Sequence, residues 1–407
     1  MKYLARSIAA VSLATGLCSP AYAQVAAPLN DRAASAGPVT VEPALDGLFR
    51  AFENHPVVAL GDAHGLAEQM DFYAALVRDP RFARDVRNLV VEFGASSQQQ
   101  VIDRYLAGET VPYVELRKVW NDTVGWSPPP ALVGFAKFFA AVREVNKSLP
   151  PDRRIKVWLG EPPLDWTATT RDEITAAMMA RTAYPAGLIR DILAKGEKTL
   201  VIYGAFNLAG GPMLKGRLDA THPGAMFAIL PYAPPFQYPG CAPLLPQVTA
   251  IWPEPALATR SRGEAGAGLR ECFTLSPPMG GPGPGPGGPG PGPGGPGLPP
   301  TVEGDGVLFL APLEVLAQGP QGPMEQLARG GFLPDLLFDA ELRRELSRRS
   351  GGRPLPPPPP GLAIRKADLA FELDAPGFRE QIEAIFAAHD RDGDGVITSG
   401  EYDDPSD

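Results

Sequence analysis

Two groups of residues in the 407-residue sequence have types and spacing suited to chemistry. The tighter one is "DRDGDGVITSGE", from Asp390 to Glu401. Carboxylates fall at loop positions 1, 3 and 5 (Asp390, Asp392, Asp394). Gly395 holds position 6, the Val396 carbonyl position 7, Thr398 position 9 and Glu401 position 12. A hard dication takes roughly six to eight oxygen ligands, and this spacing wraps them around one point. Binding of Ca2+ is therefore expected here. The second group is dispersed: Asp62 and His64 in "GDAHG", Glu92 in "VVEFG", Glu161 and Asp165 in "GEPPLDW", and Asn207 in "YGAFNLAGG". An imidazole beside a carboxylate can act as general base on water. His64, Glu92 and Glu161 are the catalytic candidates, and Asp62, Asn207 and Asp165 the ligand-binding ones. Alternatively, His64, Glu92 and Asp62 can hold a divalent metal. The plainer reading is that Asp62 and His64 cap a helix starting near Ala67 and that Glu92 pairs with an arginine.

Bringing the dispersed group together is a task for a sheet. Apolar β runs at 56–62, 88–94, 155–161, 199–205, 225–231 and 305–312 alternate with helical spacing at 67–79, 133–146 and 173–183. Continuous apolar strands alternating with helices predict an α/β fold, a mostly parallel sheet with helices on both faces. In such a sheet the carboxyl ends of the strands face one crevice, where ligands bind. The candidates of the second group each follow or end one of the first four runs. His55 and His222 precede their strands and belong at the opposite edge, and His389 belongs to the tail. Trp120, Trp126 and Trp166 can line a pocket or pack as core.

The first 23 residues carry Lys2 and Arg6, an apolar run and "AYA", the pattern of a signal peptide cleaved after Ala23. The apolar run is too short for a membrane span, and no later run is long enough. Export to a periplasmic or secreted location is expected, and removing the leader takes the net charge from −9 to −11. Acidity without a basic cluster argues against nucleic acid and anionic membranes as partners. Cys241 and Cys272 are then expected to form an intramolecular disulfide. Residues 24–40 read as a flexible leader and 41–345 as the α/β domain, with a Gly/Pro-rich loop at 277–300 inside it. Residues 346–365 read as a proline-rich linker to a calcium tail at 366–407. No second calcium loop accompanies the first, so this one is expected to bind loosely, and without the ion its four crowded carboxylates are expected to leave the tail disordered.

The motifs "VVALGDAHG", "LVVEFG", "RYLAGE", "VWNDT", "REVN" and "GEPPLDW", with "DGVLFLAP" beyond, resemble the erythromycin-esterase and ChaN-like superfamily over about residues 50–312. The resemblance implies a catalytic or ligand-binding His64 and Glu92. It also implies a third polar group after the fourth long strand, a histidine in hydrolytic members, where this chain has Asn207. An amide donates a hydrogen bond but does not shuttle a proton. Residues from near 377 to the end resemble a single EF-hand. Three readings follow: an exported calcium-binding protein whose α/β domain binds a small ligand at the C-terminal edge of its sheet, an active His64/Glu92 ester hydrolase, or a non-enzymatic envelope interaction protein.

Overall fold

Runs of Val, Ile and Leu flanked by Gly and Asp place eight strands in one sheet. The computed structural model describes residues 39–64, 66–125, 132–167, 169–232, 239–260, 269–276, 301–310, 331, 333–352, 355, 361 and 363–402. The expected signal peptide, Trp126, the Gly/Pro loop at 277–300 and the proline run 356–360 lie outside the described residues. The strands are β1 (Val39–Pro43), β2 (Val57–Asp62), β3 (Asn88–Ala95), β4 (Lys156–Glu161), β5 (Thr199–Gly204), β6 (Met226–Tyr232), β7 (Ala256–Arg260) and β10 (Gly306–Phe309). The two-residue strands β8 (Thr274–Leu275) and β9 (Val302–Glu303) form a separate ribbon. The sheet order is β1-β7-β10-β6-β2-β5-β3-β4. Strands β10, β6, β2, β5, β3 and β4 run parallel, while β7 is antiparallel to β1 and to β10. The α/β expectation holds.

Alternate residues of each strand feed two apolar layers, as strand geometry requires. Val58 and Leu60 of β2, Leu89 and Val91 of β3 and Leu200 and Ile202 of β5 face one layer, with helices Ala67–Arg78, Gln99–Ala107 and Val133–Lys147. Val57, Ala59, Val90, Val201 and Tyr203 face the other, with helices Ala183–Leu193 and Leu214–Asp219 and the bonded pair Cys241–Cys272. Burial on both faces is why these strands read as continuous apolar runs rather than alternating ones.

Two segment expectations are corrected. Val39 and Thr40, read as the end of a leader, belong to β1 and pair with Arg260 and Thr259. The tail is also no appendage on a stalk. Helix Ala340–Arg349 occupies the start of the expected linker, Leu355 is buried, and β11 (Ala363–Arg365) ends it. Leu355, Ile364, Leu369, Leu373, Phe378, Ile382 and Phe386 join the same apolar layer as the first set of helices. Phe378 meets the Tyr113 ring edge-on at 5.0 Å. The buried Arg143 binds Asp374 at 2.7 Å, and the Tyr105 hydroxyl donates to the Leu373 carbonyl. Strand β12 (Val396–Thr398), within the acidic loop, pairs antiparallel with β11, Ile397 opposite Ile364. The apolar residues of the tail found a partner surface that the sequence search for a second loop did not anticipate.

Candidate functional site

Four neighbouring strands, in the order β2-β5-β3-β4, carry the candidates to one edge. Asp62 is the last residue of β2, and Glu161 the last of β4. Glu92 sits within β3, where the pairing with β4 slips. Val91 faces Leu159 but the next pair is Ala95 with Glu161, so extra residues bulge from β3 around Glu92. A bulge re-aims a side chain, here toward the crevice. Asn207 follows β5 in a turn of 3-10 helix, Ala205–Leu208.

His64 is the centre. Its Nδ1 lies 2.7 Å from Asp62 Oδ2, and its Nε2 lies 3.9 Å from Glu92 Oε2. About a third of its side chain remains exposed (32 %), against 3 % for Asp62 and 7 % for Glu92. Burial pushes the imidazole pKa down, but the Asp62 hydrogen bond and the charges of Asp62 and Glu92 outweigh it. The net effect lies above the ordinary 6.5. Asp62 is held from behind, its Oδ1 accepting from the Tyr73 hydroxyl at 3.0 Å. Burial and the Asp62 charge push the Tyr73 pKa far up, so the hydroxyl stays a donor. Gln69, fully buried one turn earlier on the same helix, donates to the Gly61 carbonyl at 2.7 Å and accepts from the Ala63 N–H at 2.8 Å. One amide thus fixes the backbone on both sides of Asp62.

Glu92 is engaged at both oxygens. Oε2 accepts from the Gly204 N–H at 2.5 Å, and Oε1 from Arg181 Nη2 at 3.0 Å and Asn207 Nδ2 at 3.4 Å. Arg181 also reaches Glu161, its Nε at 2.8 Å from Oε1, so one guanidinium bridges two buried carboxylates. Burial raises the Glu161 pKa, opposed by Arg181, and the Gly125 N–H donates to its Oε2 at 3.1 Å. Two glycines make room: a Cβ on Gly204 would lie 2.7 Å from His64 Nε2, and one on Gly125 would lie 2.0 Å from Arg181 Cζ.

The site therefore unites His64, Asp62, Glu92, Glu161 and Asn207. Asp165 stands apart: it is exposed, and its Oδ1 accepts from the Thr167 N–H and hydroxyl, which lowers its pKa. The expected pairing of Glu92 with an arginine is met, by Arg181. The N–H donors on both Glu92 oxygens leave each oxygen a further lone pair, so His64, Glu92 and Asp62 keep the atoms that the alternative metal arrangement would use. Trp166 and Trp120 are buried and pack as walls and core. Sequence reading missed Arg181, Tyr73 and Gln69. The signal for the last two was present, two polar residues one turn apart (69 and 73) on the apolar face of a helix. Arg181 carried none, since an arginine at a helix end is ordinary.

In the tail, ligand atoms of Asp390, Asp392 and Asp394 lie within 4.8 Å of one another. Asp390 accepts from the N–H groups of Gly393 and Gly395, and Glu401 from those of Arg391 and Thr398. Gly395 takes φ +81° at position 6, the left-handed bend that turns the ligands inward. This all-oxygen donor set fits a calcium ion.

Fold and crevice together define an α/β protein with a polar site at the carboxyl edge of a parallel sheet. No family model matches the sequence, and no curated protein does. Among solved structures, a histidine-to-asparagine variant of an erythromycin esterase in its open conformation is similar, with TM-score 0.40 and 12% identity over 66% of this chain and 96% of that one. A Bacillus cereus protein gives TM-score 0.36 at 12% identity, over 65% of this chain and 91% of that one. The haem-binding ChaN of Campylobacter jejuni gives 0.31 at 12% identity, over 46% and 86%.

Proposed function

We propose that this is an exported calcium-binding protein whose crevice hydrolyses a small ester-type substrate with His64 as general base. The observation that carries the catalytic part is the Asp62–His64 pair at 2.7 Å. With Nδ1 given to Asp62, Nε2 is the nitrogen that accepts a proton from water as the water attacks the ester carbonyl. The resulting imidazolium is stabilised by Asp62 and Glu92, and it then returns the proton to the departing alkoxide. Asn207 and Arg181 donate to Glu92 and so hold its carboxylate beside His64 at the same edge. The disulfide Cys241–Cys272 supports export, since such bonds persist in oxidising compartments.

Chromogenic esters assayed on wild type and His64→Gln test this reading. Loss of about 10²–10⁴-fold in turnover is expected, the usual worth of a general base. Equal turnover in the two proteins would overturn it. A second reading, ligand binding without turnover, draws on Asn207 and on the full engagement of Glu92. It is favoured if ligands bind the crevice yet no ester is cleaved by wild type.

Calcium is assigned to Asp390, Asp392, Asp394, the Val396 carbonyl, Thr398 and Glu401. A bound ion supplies positive charge that draws these oxygens together. Calorimetry is expected to register calcium binding in wild type and none in Glu401→Ala.

A further inference from the structure

We infer that helix Ala340–Arg349 is a strut through which the calcium loop sets the wall of the His64 crevice, an inference that rests on the calcium assignment above. At its N-terminal end sits Phe338. The residue just before the loop, His389, lies against that ring at 4.3 Å, and the residue just after it, Tyr402, meets it edge-on at 5.6 Å. Both ends of the loop thus grip one aromatic side chain. The next residue, Asp339, caps the helix through the Glu341 and Leu342 N–H groups at 3.0 Å. The same carboxylate accepts from Arg117 at 2.7 Å and from Gln381, on the helix entering the loop, at 3.3 Å. The Arg343 guanidinium lies 5.7 Å from the Tyr402 ring.

The other end of the helix, about 15 Å away at 1.5 Å per residue, lies against Trp166 and the 121–125 segment that leads to Glu161. Arg348 donates to the Trp166 carbonyl at 3.2 Å. Arg349 donates to the Asn121 carbonyl at 3.2 Å, pairs with Asp122 at 2.8 Å and lies 5.0 Å over the Trp166 ring. The Trp166 indole donates to the Asp122 carbonyl at 2.9 Å. Three residues on, Gly125 donates to Glu161 and gives Arg181 its space. Arg181 in turn holds Glu92, which faces His64.

A rigid helix anchored at both ends by charge-assisted bonds transmits position. Chelation fixes the distance between residues 390 and 401, and with it the clamp of His389 and Tyr402 on Phe338. An element biased by calcium at one end and touching the crevice at the other couples the two sites reciprocally.

The test is hydrogen exchange of the full chain with and without calcium, run beside calorimetry. Calcium is expected to slow exchange at 121–125 and 166–167 by about tenfold, within the usual range of coupling. Phe338→Ala is expected to bind calcium by calorimetry yet lose that remote protection. Tyr402→Leu, a milder change, is expected to reduce it in the same direction. Calcium bound by calorimetry with unchanged exchange at 121–125 and 166–167 in wild type would overturn the strut. Protection unchanged in both variants would also overturn it. Absence of any calcium heat would overturn the calcium assignment itself, and the strut with it.

Discussion

At the scale of single residues, the pKa of His64 gives the sharpest expectation. Its folded-state pKa lies above 6.5, so the charged form is favoured on folding. That stabilisation is fully present below the unfolded pKa and is lost as pH rises through the folded one. Activity runs the other way, because a base must be neutral. The ester rate is expected to rise with pH along a limb set above 6.5, read from a pH–rate profile or from the imidazole resonances. Asp62→Asn keeps a carbonyl acceptor for Nδ1 but removes the charge that helps to raise the pKa, so the limb is expected to move to lower pH. Arg181 carries a different cost. Arg181→Ala leaves Glu92 and Glu161 buried without their common cation, and a loss of about 3–5 kcal/mol is expected in denaturant unfolding.

At the scale of elements, the site depends on close passage of β5 against the turn after β2. Gly204→Ala places a methyl group 2.7 Å from His64 Nε2. The Asp62–His64 pair must shift, with about 1–3 kcal/mol of destabilisation measurable as a lowered melting temperature and a displaced pH limb. This level also shows what the sequence made legible. All six apolar runs read as strands are strands, and the parallel order carried Asp62, Glu92, Glu161 and Asn207 to one edge as expected. Strand β1, Val39–Pro43, escaped notice because "VTVEP" mixes polar residues with its two valines and ends on a proline. The bulge that aims Glu92 is a mismatch between β3 and β4, and no single strand contains that information. Asp165 was misplaced because a chain can leave a strand and turn away within a few residues. Arg181 entered the site through the folding of a distant helix end, which pattern and spacing do not specify.

At the scale of the molecule, the tail and the α/β layers share one core, joined at Tyr113–Phe378 and Arg143–Asp374. Unfolding by scanning calorimetry is accordingly expected to show one transition, with no separate early melting of residues 363–402. Phe378→Ala is expected to cost about 3–5 kcal/mol, with the loss shared by crevice and tail. A chain cut after residue 360 would expose Tyr105, Tyr113 and their neighbours to water and is expected to bind a hydrophobic dye.

The shared core also orders events in time. Tyr113 finds its ring partner at Phe378, more than 250 residues later in the chain. At about 5–20 residues per second, synthesis delivers that partner on the order of tens of seconds after Tyr113 itself. Contacts so far apart in sequence close late and slowly. The helical layer stays open until Phe378 and its neighbours have been made, so the growing chain carries an unsealed apolar face up to that point. A protein built this way seals its helical layer only once the segment around Phe378 has joined it.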